Sequence, residues 1–248
     1  MNASKLLNQP ELIEEFRTLA ANVFTFVSSW NDVDPNAMRL YARKRPAREA
    51  VERYQQQMEH QIDPIQLRSR VADDFQVPRG SNADSVPATQ RTTNSLDAKV
   101  KEPQKLLIFK GCIYEFTFNS SARNNTFSHS QICILIDLPT QDNLNEFKPF
   151  EVVAAPKGLD DVIYNPAKTK DEYLAEGWCV RKVVTAPENI QHIGSELHAT
   201  RRQYGIKHHV TCTIHSSMGD TLHKVAMEVS ATEEKFKLWG KISSCCWY

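Results

Sequence analysis

Near the N-terminus the apolar residues Leu12, Ile13, Phe16, Leu19, Ala20, Val23, Phe24 and Val27 recur at steps of three and four. That spacing lays one apolar stripe along a helix and predicts an amphipathic α-helix from Pro10 to Val27. A second helix is expected after Asp34-Pro35, a capping carboxylate followed by proline, running through Met38, Leu40 and Tyr41. Pro46 should kink it before it resumes through Ala50, Val51, Tyr54 and Met58 and stops at Asp63-Pro64. Residues 63–100 are poor in large apolar side chains and punctuated by Pro78, Gly80 and Pro87, which predicts a long polar loop or linker.

From Lys105 the pattern shifts to alternating β-branched and aromatic residues. LLIFKGCIYEFTFN and QICILIDLP read as two strands joined by the polar turn at Asn119 to Thr126. Alternation places Tyr114, Phe116 and Phe118 on one strand face, as burial in a core requires. Phe150 to Ala155 is a third strand and Trp178 to Ala186 a fourth, with helical turns expected in the charged stretch 160–176. SELHATRRQYG is polar and basic, HHVTCTIHSS is a strand running into a turn, and Thr221 to Val229 suits a helix or a strand.

Composition narrows the class. A hydrophobic fraction of 41% is enough to build a core. Lys plus Arg and Asp plus Glu each number 30, so any nucleic-acid site must be a local patch and not the field of the whole molecule. The longest aliphatic run, around Ile132 to Ile136, is far too short to span a bilayer, and no membrane association is expected. The N-terminus turns acidic where a secretory signal would be apolar, which predicts an intracellular protein, nuclear or cytoplasmic. The six cysteines form no C-x-x-C pair, as expected of reduced thiols, and no histidine cluster shows metal-ligand spacing.

The most specific stretch is VTCTIHSSMGDTLHKVAMEV, Val210 to Val229, in which an apolar strand delivers hydroxyls, a histidine and a glycine turn. A glycine after a strand end lets backbone N–H groups and short hydroxyls approach a phosphate closely. Read alone, the same hydroxyls also suit a helix cap or a turn. The stretch resembles the T-hydrophobic-H-[KS]-x-Q-G-x-T-L segment of Pif/RecD-type superfamily 1 helicases, matched by Thr213, Ile214, His215, Ser216, Gly219, Thr221 and Leu222, with Met218 at the usual glutamine. LDAKVKEPQKLLIFKGCIYEFTFN, with Lys101, Glu102, Pro103 and Gly111, and ARKRPA, Ala42 to Ala47, resemble further passages of that family.

The resemblance implies an α/β chain: a partial RecA-like helicase domain with an N-terminal helical region at 1–62, a linker at 63–100, a β-rich inserted subdomain at 101–197 and a RecA-like segment at 198–248. It implies single-stranded DNA, or RNA, as partner, held by Arg201, Arg202, Lys207, Thr213, His215, Ser216, Gly219 and Thr221. His208 and His209 belong to the same basic cluster, with Tyr204 placed to stack on a base. The intact family uses ATP and Mg²⁺. This chain has no G-x-x-x-x-G-K-[ST] loop, and its Asp171-Glu172 pair follows Lys-Thr-Lys instead of an apolar strand. After Phe236-Lys237-Leu238-Trp239 it reads GKISSCCWY, where the family continues to its arginine finger, so a truncated motor domain is expected. No cofactor is expected on this chain alone, ATP turnover is expected to need another polypeptide that supplies the missing motor domain, and no catalytic residue is assigned. Two other readings stand beside this one: a protein-interaction module docking through Phe16, Leu19 and Val23 of the first helix, and a non-functional fragment.

Overall fold

The structure is a computed structural model, and it describes residues 37–81, 83–156, 162, 164–214 and 225–227. The predicted N-terminal helix, with its interaction stripe, lies outside the described residues.

The first strand, β1 (Met38–Tyr41), buries Met38, Leu40 and Tyr41. A helix was expected there. The chain instead bends at 42–43 and helix α1 (Lys44–Gln61) begins at Lys44. Pro46 then sits in the first turn, where its missing N–H would have had no intrahelical partner, so no kink results. Segment 63–100, expected to be a loop, carries β2 (Leu67–Val71), β3 (Asp73–Pro78), β4 (Val86–Pro87) and helix α2 (Gln90–Lys99). Thr89 caps α2 by accepting from the Thr92 N–H at 3.4 Å.

The long apolar run splits at Gly111 into β5 (Lys105–Phe109) and β6 (Ile113–Phe116). Gly111 has φ +80, and a Cβ there would stand 2.3 Å from the Tyr164 ring, so both conformation and space require glycine. The polar turn forms the hairpin of β7 (Ser120–Ala122) and β8 (Asn125–Phe127). There follow β9 (Ile132–Ile134), helix α3 (Gln141–Asn145), β10 (Phe150–Ala154), helix α4 (Lys170–Ala175) with a Thr169/Glu172 capping box, and β11 (Cys179–Val183). The last strands are β12 (Gln191–Ile193), β13 (Leu197–Arg202), β14 (Ile206–His208), β15 (Thr211–Thr213) and β16 (Val225–Met227).

These strands build three principal sheets. An antiparallel sheet of order β11-β10-β9-β6-β14 carries the main core, in which Tyr114, Phe116, Ile206, Cys133 and Tyr204 are fully enclosed. Phe118 packs against its margin, so the expected aromatic face is the core face. The pair β2-β5 adjoins it, and the Gln141 side chain occupies the open edge of β2, accepting from the Ser69 N–H and donating to the Ser69 carbonyl at 2.8 Å. A second antiparallel sheet runs β12-β13-β3-β4, with α2 packed on β12 and β13.

The third sheet is parallel, of order β15-β1-β16. Its strands β1 and β15 are neighbours although residues 42–210 lie between them in sequence. Helix α1 packs on both strands through the small residues Ala47 and Ala50, while Tyr54 and Met58 on its later turns and Ile62 at its C-cap join the main core. One helix thereby fixes the parallel sheet against the antiparallel one and forms a wall between them. No helix among the described residues is long and apolar enough to cross a membrane.

Candidate nucleic-acid interface

Between α1, the connector from α2 to β5, and the ends of β14 and β15 lies a cleft of about 710 Å³. Lys44 and Arg48 enter it from one face of α1, four residues apart. Lys99, Lys101 and Lys105 line the connector side, and Lys207, His209, Thr211 and Thr213 the strand side. Carboxylates interrupt this cationic lining. Glu59 holds Lys105 at 2.7 Å and Glu115 holds Lys207 at 2.7 Å. Lys44, Arg48, Lys99 and Lys101 form no salt bridge with a carboxylate of the described residues; Lys99 donates to the His192 carbonyl of β12 and Lys101 to His129. Arg48 is half-buried, which lowers its pKa. Asp97 and Glu52 oppose that shift, and neighbouring Arg201 adds to it.

Glu115 is a buried carboxylate on β6 between two donors, Lys207 and the His209 Nδ1–H at 2.6 Å. Burial alone would raise its pKa, but the His209 hydrogen bond and the Lys207 charge bring it down to about 2. At the mouth of the cleft, Lys101 donates to His129 Nε2 at 2.9 Å, and the other ring nitrogen lies 2.9 Å from the Ser130 hydroxyl. Neither Lys101 nor His129 was singled out as a binding residue from sequence. Lys101 stood inside the Lys-Glu-Pro passage, but the partner that gives it meaning comes from a turn distant in the chain.

The expected site residues do not share one surface. Arg201 is a correction: its side chain is 1% exposed and committed within the protein. It donates to both oxygens of Asp74 at 2.7 and 2.8 Å, to Asp97 at 2.7 Å and to the Glu102 carbonyl at 3.1 Å, leaving no face for a phosphate. Arg202 points away from the cleft, exposed, its guanidinium carbon 4.6 Å from the Phe147 ring centre. Lys207 lines the cleft but is charge-compensated by Glu115. Thr213 lines it half-buried on β15. His215, Ser216, Gly219 and Thr221 lie outside the described residues, in the segment that follows β15 and Ile214.

Tyr204, expected to stack on a base, is fully buried and donates to the Lys148 carbonyl at 2.9 Å. His208, expected with the basic cluster, is buried among Tyr54, Phe109 and Tyr114 and faces the Cys112 thiol at 3.1 Å. Desolvation pushes its pKa down to about 3 and that of Cys112 up to about 12. Such a pair is neutral, so it fills the core and offers neither a nucleophile nor a cation. Among the described residues no group of three or more His, Cys, Asp or Glu is placed to hold a metal.

No protein-family model matches the chain, and no curated protein sequence does either. Its fold is similar to the crystal structure of Pif1 helicase from Candida albicans, at 15% identity and a TM-score of 0.53, over 95% of this chain and 47% of that one. The chain thus spans about half the length of that structure. Pif1 helicase from Bacteroides in complex with ADP-AlF3 and ssDNA is more distantly similar, at 12% identity and a TM-score of 0.47, over 94% and 43% of the two chains. At these identities the likeness is one of fold, an α/β arrangement of several sheets like part of a Pif1 helicase.

Proposed function

We propose that this chain is a nucleic-acid-binding portion of a Pif/RecD-type helicase, corresponding to the second motor domain with a β-rich subdomain inserted in it, and that alone it does not hydrolyse ATP. The observation that carries the proposal is the Pif1 helicase fold over 95% of the chain. The topology is consistent with an insertion at 101–197: the parallel neighbours β1 and β15 are separated in sequence by a stretch that contains the antiparallel sheet β11-β10-β9-β6-β14. The cleft supports the partner. It is cationic through Lys44, Arg48, Lys99 and Lys101, carries no Phe, Tyr or Trp among its described lining residues, and runs to Thr213 beside the hydroxyl-rich segment that resembles the family motif.

A lining of that kind grips phosphates and reads no bases, so the proposed ligand is the backbone of single-stranded DNA or RNA, without sequence preference. The finer set of contacts is Lys44, Arg48, Lys99, Lys101, Lys207 and Thr213, extended by His215, Ser216, Gly219 and Thr221. ATP and Mg²⁺ would be handled with a polypeptide that carries a phosphate-binding loop, since this sequence has none. Such a role places the protein inside the cell, in nucleus or cytoplasm.

The test is fluorescence anisotropy of a labelled oligothymidylate with the purified protein at low and at physiological salt. Saturable binding that weakens with salt, and weakens further in Lys44→Ala/Arg48→Ala, is the expected result. A folded protein that binds nothing at low salt refutes the proposal.

A further inference from the structure

The turn Ser128 to Gln131 at the cleft mouth is fixed more firmly than a surface turn requires. Its backbone N–H groups are taken by the Asn119 side chain at 2.7 Å, by the Phe116 carbonyl at 2.8 Å and by its own Ser128 carbonyl at 3.1 Å, while the Ser128 N–H donates to the Gln131 side chain at 3.0 Å. Within it Ser130 adopts φ +62, a left-handed conformation uncommon outside glycine that persists where the surroundings over-determine it. The turn presents an exposed histidine, His129, to an exposed lysine across the connector. Lys101 Nζ and His129 Nε2 are 2.9 Å apart, and Ser130 Oγ lies 2.9 Å from Nδ1.

An ammonium can only donate. The imidazole therefore accepts at Nε2 and, in this arrangement, is the neutral tautomer with its proton on Nδ1 toward Ser130. Two nitrogen bases are held together with no carboxylate between them. The charges facing His129 are mixed: Lys101 and Lys207 disfavour its protonation, Glu115 from β6 and Glu102 from the connector favour it. Burial and Lys101 dominate, and its pKa is lowered. Glu115 is already engaged by Lys207 and His209, and Glu102 accepts from the Thr117 hydroxyl. An anion set between Lys101 and His129 would replace the lysine–imidazole contact by two charge-assisted bonds once the ring takes up a proton.

Resting on the reading of the cleft as a nucleic-acid site, we propose that Lys101 and His129 form its phosphate-holding subsite, and that a phosphate binds there with uptake of one proton by His129. Phosphodiesters and thymine do not titrate between about pH 5.5 and about pH 8, so a pH dependence of oligothymidylate binding reports the protein.

The experiment measures the affinity of labelled oligothymidylate at those two pH values and constant ionic strength. If binding raises the His129 pKa by about one unit, affinity increases up to about tenfold on acidification. His129→Gln, whose amide takes up no proton, should lose that increase. Lys101→Gln should weaken binding at both pH values and lower the salt slope by about one. Independently, the His129 Hε1 resonance should titrate at higher pH with oligonucleotide bound than without, a shift that a purely structural turn does not produce. An equal pH dependence in wild type and His129→Gln, or wild-type affinity in Lys101→Gln, overturns the subsite and leaves the cleft reading standing. Absence of saturable binding at either pH overturns both.

Discussion

Replacing Arg201 with alanine should unfold this protein more readily, and any loss of nucleic-acid binding should follow from that instead of from a lost phosphate contact. The magnitude follows from burial. Arg201 is 1% exposed and Asp74 6% exposed, joined by two hydrogen bonds of 2.7 and 2.8 Å. Without the guanidinium, the Asp74 carboxylate stays in the sheet β12-β13-β3-β4 with no counter-charge, a situation that costs about 3–5 kcal/mol. The third contact is different in kind. Asp97 is 41% exposed, so Asp97→Asn should cost at most about 1 kcal/mol. Since domain stabilities run to about 5–15 kcal/mol, the first change removes a large share and the second does not. Urea denaturation followed by circular dichroism measures both. A double substitution, Asp74→Ala/Arg201→Ala, should be less damaging than the sum of its parts because it removes the stranded charge along with its partner. An Arg201→Ala protein within about 1 kcal/mol of wild type, yet several-fold weaker for oligonucleotide, would refute the reasoning and return the guanidinium to the binding surface.

Further outcomes follow from the same geometry. Arg202→Ala should leave oligonucleotide affinity unchanged in the anisotropy assay, because Arg202 lies on the Phe147 ring away from the cleft. Stability should fall with acid in two stages. His208 binds no proton in the fold until about pH 3 but does so near 6.5 when unfolded, so the unfolded state holds more protons in between and stability is lost as pH falls from 6.5 toward 3. Glu115, held at about 2 against an ordinary 4.5, adds a loss between those values of about 3 kcal/mol. Thermal melts across this range should show His208→Phe flattening the upper stage and Glu115→Gln the lower. Gly111→Ala should cost about 2–4 kcal/mol by thermal or urea unfolding, through the left-handed backbone and the Tyr164 ring 2.3 Å from the new Cβ. A near-neutral result there would show that Tyr164 moves aside freely.

What the sequence revealed and concealed divides by the distance over which the deciding interaction acts. Strands β10 and β11 and the aromatic face of β6 were legible because each announces itself within a few residues, by alternation and by a turn at either end. The caps of α2 and α4 are likewise local, yet α2 lies in the stretch 63–100 that reads as a loop, because its polar sequence carries only Leu96 as a large buried residue. By contrast β3, with sequence DDFQVP and every residue but the last half-buried, owes its existence to pairing with β13, and nothing within 63–100 announces that partner. The same distance misled the reading of charge. Composition marks Arg201 and Arg202 as a basic pair, but the carboxylate that claims Arg201 stands 127 residues away in sequence. A local signal did exist: once LHATRR is taken as a strand, Arg201 shares its face with Leu197 and Ala199, while Arg202 falls with His198 and Thr200. Of two adjacent arginines in a strand, one must face inward if the sheet is covered, and an inward arginine demands a buried acid. Asp74, opposite Arg201 in register on β3, is that acid. The charge that remains for a ligand is therefore the part that no carboxylate of the described residues holds in a salt bridge, and in this cleft that is Lys44 and Arg48 of α1 with Lys99 and Lys101, not the basic cluster that stands out in the sequence.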